Sequence, residues 1–312
     1  MIRKRTRFKP AYWGILIFIV AEILTFCVIS RENVFLEAKQ IYVPSQPSQA
    51  ISLWPQPVIS DSGVITQTPA YSSLGPILIY FFAVVIVLST VLFLIPISAL
   101  KLVFRVLFAF LFCWGIFIIL VLWLPLAVTI IISVAVGFSW FFVSRVWLHN
   151  FVMIVAMVSL GAVFGRFISP WTSIILLLSL AIYDLLAVRF GYMLWMMKKL
   201  GESSTLPAFI IPRRASEWRS SLRQSGFTKL VEEEPSDSKY SILGGGDIAF
   251  PLVLTSSVYF ARGFNSALLV AMFSLLGLVG AYWIQATFFK GKPVPALPPI
   301  AVLSLIGVLI VV

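Results

Sequence analysis

Apolar residues run along this chain in blocks of about 20, the length a helix needs to cross roughly 30 Å of hydrocarbon, and polar residues fall between the blocks instead of alternating within them. Nine such blocks stand out: 11–30, 75–99, 102–122, 124–144, 150–168, 172–196, 241–261, 264–288 and 294–312. The third and fourth are parted only by the turn around Leu124-Pro125. The pattern predicts an all-α, polytopic membrane protein with nine transmembrane helices. It divides the chain into an N-terminal six-helix bundle (1–196), a loop (197–240) and a C-terminal three-helix part (241–312).

Composition agrees. Of 312 residues, 60% are hydrophobic and 11% charged, against about 25% charged in a soluble domain. A water-soluble globule is excluded. The net charge of +11 reads as membrane topology, not as a nucleic-acid surface, so the lipid bilayer is the expected partner. With the N-terminus inside, all but Arg31, Lys39, Arg166 and Arg262 of the 23 Lys and Arg fall on the cytoplasmic side. That asymmetry follows the positive-inside rule. It requires nine spans and puts the C-terminus outside. The first apolar block lacks a small-residue cleavage site and reads as a retained helix, not a signal peptide.

Two loops are long. Residues 31–74 are rich in Pro, Ser and Gln, lie outside, and are expected to be partly disordered. Residues 197–240 lie inside. There Leu206–Pro212 is an apolar strip ahead of Arg213-Arg214, suited to docking at the membrane surface.

Cys27 and Cys113 both sit in apolar blocks, which argues against a disulfide framework. One histidine, His149, cannot make a His-Glu-x-x-His zinc site. No metal or other cofactor is expected. His149 lies in Trp147-Leu148-His149-Asn150, read as a membrane-interface segment.

Three acids fall well inside spans: Glu22, Asp184 and Asp247. Carboxyl groups at membrane depth are costly and mark candidate functional sites. Glu22 has no evident partner and reads as a protonated or hydrogen-bonded group in the bundle. Asp184 and Asp247 sit on consecutive spans at matching depth, each roughly 12 Å from the inner face at about 1.5 Å per helical residue. Brought together, two carboxyls share one proton. One serves as general base on a water while the other protonates a substrate carbonyl. Paired acids also relay protons in secondary transporters, and spacing alone leaves both readings open. A proteolytically inactive receptor for membrane helices is a third.

The backbone around Asp247 is unusual. Gly244-Gly245-Gly246 precedes it, each glycine costing about 1 kcal/mol relative to alanine in a helix. Pro251 follows and leaves the Asp247 carbonyl without a helical donor. Freed backbone groups in a membrane must face protein or water, so a hydrated, deformable site is expected here.

Tyr183-Asp184, Gly244-Gly245-Gly246-Asp247 and Pro295-Ala296-Leu297, on the sixth, seventh and ninth spans, together resemble the Tyr-Asp, Gly-x-Gly-Asp and Pro-Ala-Leu motifs of the presenilin and signal peptide peptidase family of intramembrane aspartyl proteases. The resemblance implies an endopeptidase with Asp184 and Asp247 as its catalytic pair, acting on transmembrane-helix substrates. Tyr183, Gly244, Gly245, Gly246, Pro295, Ala296 and Leu297 would then line the site and place substrate. The charge-derived orientation is that of presenilins, and the short chain resembles their archaeal homologues. This implies a multi-pass protein of a prokaryotic cell membrane and substrates whose N-terminus is outside. Accessory subunits and an oligomer stay open. The motif leaves its middle position free, so Gly245→Ala is expected to be milder than Gly246→Leu. Tyr240–Leu243 is expected to pair as a strand with an unwound substrate.

Overall fold

A computed structural model describes residues 10–38, 57–59, 65–67, 74–94, 97–143, 145–191, 207–220, 240–288 and 295–311. Among the described residues there are nine α-helices: α1 (Pro10–Ala38), α2 (Leu74–Leu94), α3 (Ile97–Leu120), α4 (Leu126–Phe142), α5 (Val146–Phe167), α6 (Pro170–Arg189), α7 (Gly246–Arg262), α8 (Phe264–Thr287) and α9 (Leu297–Val311). Six of them (α1, α2, α3, α5, α6 and α8) are long and apolar enough to cross a membrane; α4 and α9 are shorter apolar helices. The turn at 121–125 separates α3 from α4, as the sequence predicts.

Two short antiparallel strand pairs join the helices. β1 (Pro57–Ile59) pairs with β2 (Ile65–Gln67) inside the 31–74 loop. The flanking stretches of that loop lie outside the described residues. β3 (Ala208–Pro212) pairs with β4 (Tyr240–Gly244), with Ala208 opposite Gly244 and Pro212 opposite Tyr240. The seventh apolar block is therefore not helical from residue 241: strand runs to Gly244 and helix starts at Gly246. Three glycines raise the cost of helix here, and the pairing with β3 supplies the backbone partners a helix would have supplied.

α7 is the centre of the bundle. It packs against α5, α8, α6, α1 and α9, and every residue from Pro251 to Val258 is buried. Lipid tails are as apolar as leucine, so packing in a membrane comes from close van der Waals approach. Gly161 and Gly165, one turn apart on α5, allow it. A methyl group at Gly161 would stand 2.8 Å from Leu252 Cβ, and one at Gly165 would stand 2.8 Å from the Val253 carbonyl oxygen. Glu22 on α1 is 6% exposed and accepts a hydrogen bond from the Thr255 hydroxyl of α7 at 3.2 Å, the hydrogen-bonded role expected for it. Gly263, at φ 83° and ψ −177°, ends α7 in an extended conformation open to glycine alone and lets α8 begin at once. At that end of the bundle Arg166 meets Glu32 at 3.4 Å and Asn33 at 3.2 Å, and its guanidinium lies over the Phe260 ring. α1, α5 and α7 are thereby tied together. Cys27 and Cys113 are free thiols.

Candidate active site

At the opposite end, α1, α5 and α7 pack against the β3–β4 pair. The Gly245 N–H donates to the Pro207 carbonyl at 3.0 Å, extending the ladder by one position up to the start of α7. That bond marks Pro207 and Gly245 as a hydrogen-bonded pair. In an antiparallel ladder such pairs alternate, so Phe209/Leu243 and Ile211/Ser241 bond across the sheet. The backbone groups of Ile210 and Ile242 point away from it on opposite edges.

Asp247 follows in the first turn of α7, where helix N–H groups have no intrahelical acceptor. Its carboxylate accepts the Gly244 N–H, and Asp184 of α6 stands close enough for the two like charges to repel each other. The Asp184 carboxylate in turn accepts the backbone N–H of Leu297. Leu297 is the first residue of α9, and the next two are Pro298 and Pro299. Prolines fit a first helical turn because their missing N–H has no acceptor there. They also leave Leu297 as the one N–H donor in the first three positions, and that donor meets the acid. The helix begins at Leu297, with Pro298 and Pro299 in its first turn. Tyr282 of α8 also lies within electrostatic range of Asp247.

The other expected site residues fall as follows. Tyr183 is half-buried on α6 next to Asp184. Pro295 and Ala296 lead into α9, half-buried. Gly244 lies directly against the acid, where a methyl group would stand 3.0 Å from Asp247 Oδ2. The other two glycines differ in the room a methyl group would have. Position 246 has room, with the nearest atom 3.5 Å away on the Phe250 ring. Position 245 is crowded, at 2.9 Å from the Pro207 carbonyl oxygen and 3.1 Å from Met153 Cε.

The neighbouring segments settle as follows. Tyr240–Leu243 is a strand, and one of its edges pairs with the chain's own β3. The strip around Ala208–Pro212 is not laid on a membrane surface: all five residues are buried in the sheet and bundle. His149 and Asn150 are not interfacial either. They are 1% and 3% exposed and bond to β3. Sequence reasoning missed both, although buried polar neighbours at the start of an apolar helix carry the same warning as a buried acid. Among the described residues no three His, Cys, Asp or Glu side chains gather as a metal site would require.

Residues 58–312 match the family described as signal-peptide peptidase, presenilin aspartyl protease. The chain belongs to this family of aspartyl proteases. No curated protein matches it. Two crystal forms of a presenilin family intramembrane aspartate protease share its fold. In space group C222 the TM-score is 0.59 at 17% identity, covering 97% of this chain and 98% of the other. In space group P2 the TM-score is 0.59 at 17% identity, covering 98% of each. This family member is an integral membrane protein, with six described helices suited to crossing the bilayer.

Proposed function

We propose that the chain is an intramembrane endopeptidase that hydrolyses peptide bonds of transmembrane helices with Asp184 and Asp247 as its catalytic pair. What supports this is that Asp184 of α6 lies within electrostatic range of Asp247 of α7 in a chain of an aspartyl protease family. Among the described residues each acid is held by a backbone N–H and not by a cation, so both side chains remain available for proton transfer. One acid is protonated and the other ionised. The ionised one takes a proton from a water, whose oxygen adds to the scissile carbonyl carbon. The protonated one gives its proton to the carbonyl oxygen. Collapse of the resulting gem-diol breaks the C–N bond as a proton passes to the leaving amine. The Gly244 and Leu297 N–H groups keep the two carboxylates in place through these transfers.

A substrate helix must unwind before its amides can react, and in a membrane its freed N–H and C=O groups need partners. β4 supplies them. Ile242 turns both backbone groups away from β3, and an extended substrate segment pairs with it as an added strand. Asp247 lies five residues further along the chain. The charge asymmetry of the sequence supports an N-terminus inside, which places this end of the bundle at the cytoplasmic side.

The test is incubation of the purified protein, in lipid, with a labelled transmembrane peptide, products being read by mass spectrometry. Discrete cleavage within the hydrophobic segment is the expected result. Ion-coupled uptake into liposomes with no peptide products would favour the transporter reading instead. Cleavage rate against pH should be bell-shaped, because the doubly protonated and doubly ionised pairs each lack one partner. A rate flat from acid to alkaline pH would contradict the mechanism. Pro251 lies inside α7 and deprives the Asp247 carbonyl of its helical N–H. Pro251→Ala restores that donor, and lower activity with an unchanged or higher melting temperature is expected. Normal cleavage would show that the weak turn after Asp247 serves no catalytic purpose.

A further inference from the structure

We propose that His149 and Asn150 form a clamp that stands in for a third strand on the outer edge of β3, and that this clamp positions β4 for substrate. The proposal rests on the protease reading above and deepens it by assigning two positioning residues that touch neither acid.

β3 has two edges. One pairs with β4. On the other, the Ile210 N–H donates to Asn150 Oδ1 at 2.9 Å, and Asn150 Nδ2 donates to the Ile210 carbonyl at 2.7 Å. A carboxamide carries the same donor and acceptor as a peptide unit, so Asn150 satisfies both groups of one residue as a neighbouring strand would. Two residues back on the same edge, the Ala208 carbonyl lies 3.0 Å from His149 Nε2. The proton on that ring is placed by its other nitrogen. Trp140 Nε1, which can only donate, lies 3.3 Å from His149 Nδ1, so Nδ1 accepts and Nε2 carries the hydrogen toward Ala208. The ring stands edge-on to Phe112 and tilted beside Trp140. A nearby backbone bond from the Val146 N–H to the Ser220 carbonyl at 3.3 Å, and the Trp13–Trp218 ring contact at 5.2 Å, fasten residues 218–220 to α5 and α1.

The consequence is directional. An exposed strand edge is a template for any extended chain. If both edges of this small sheet were open, a substrate could add beside β3, one strand spacing of about 4.8 Å further from the acids. With β3 closed by buried side chains, β4 is the edge left for addition. The Gly245 to Pro207 bond then transmits the position of β3 to the residue two before Asp247. α5 thus fixes where the substrate backbone lies relative to the acid without contacting either.

Asn150→Leu keeps the volume and removes both bonds. Hydrogen exchange over 208–212 and 240–244 should rise about tenfold or more, each lost bond contributing up to about that factor, while α7 to α9 stay protected. For a transmembrane peptide, KM should rise, kcat at saturation should change little, and cleavage should spread to neighbouring bonds. Trp140→Phe keeps an aromatic ring and frees only His149, so it should move the same readouts in the same direction by less. If Asn150→Leu does not fold, Trp140→Phe carries the comparison. Unchanged exchange in the variants overturns the clamp. Raised exchange with KM and cleavage sites unchanged overturns its positioning role. Should the wild-type protein cleave nothing, the protease reading falls, and the exchange measurement still decides whether the clamp holds the sheet.

Discussion

Asp184→Asn and Asp247→Asn should each abolish cleavage, a loss of about 10³-fold or more, because proton transfer by a positioned acid or base contributes about 10²–10⁴-fold and neither half of the exchange works alone. Asparagine matches aspartate in shape and keeps an acceptor oxygen. The Leu297 N–H at position 184 and the Gly244 N–H at position 247 therefore retain a partner. Removing one carboxyl also removes the cost of bringing two acids together, which would repel if both were ionised. Folding should survive, with a melting temperature equal to that of the parent or slightly higher. The measurement is single-turnover cleavage of a labelled transmembrane peptide beside a thermal melt of each variant in the same lipid. A variant that folds and still cleaves at the parental rate would remove its acid from the mechanism. The two variants should also fail alike: in a shared-proton pair the acid and base roles belong to the dyad, not to one fixed residue. A large loss in one and a small loss in the other would instead mean a single acid working with water.

The acids were legible in the sequence because so few charges enter the membrane. Among 12 acidic residues, Asp184 and Asp247 stood at one depth on consecutive spans, and physics makes such a pair costly without a purpose. What the bare pattern could not resolve was the sheet. Tyr240–Leu243 is apolar and merges with the helix that follows it, and a short apolar run does not distinguish strand from helix. Its partner, Ala208–Pro212, lies nearly 30 residues away across a loop. Nothing in local periodicity links the two. The same holds for Asn150. An amide near a helix start reads as solvent-facing until the strand it clamps is known. Leu297 was legible only as part of a motif. Its contribution is a backbone N–H that has no helical acceptor because it stands at the first position of α9, and that follows from where the helix starts, not from the side chain.

The glycines before Asp247 provide the sharpest conflict between pattern and packing. Gly245→Ala should be the damaging change and Gly246→Ala the mild one. A methyl group at 245 meets the Pro207 carbonyl oxygen at 2.9 Å and Met153 Cε at 3.1 Å. The methionine can bend away. The carbonyl cannot, because it accepts the N–H of residue 245 itself, so withdrawing it breaks the last rung of the sheet. Overpacking of this kind costs about 1–3 kcal/mol. The strain is relieved by moving the start of α7, which carries Asp247 two residues on. A displacement of about 1 Å in a catalytic group can cost about 10²-fold in rate, so cleavage should fall by one to two orders of magnitude, about 10–10²-fold, with a lower melting temperature. At 246 the added methyl meets only the Phe250 ring at 3.5 Å, an ordinary contact. Alanine is also the better helix former by about 1 kcal/mol, so Gly246→Ala should cleave near the parental rate and melt no lower. Hydrogen exchange at Gly245 and Leu243 separates the causes, since only the 245 variant should lose protection there. If Gly246→Ala is the more damaging of the two, the space beside Phe250 is needed by the substrate, and the crowding at Pro207 is absorbed without harm to the acid.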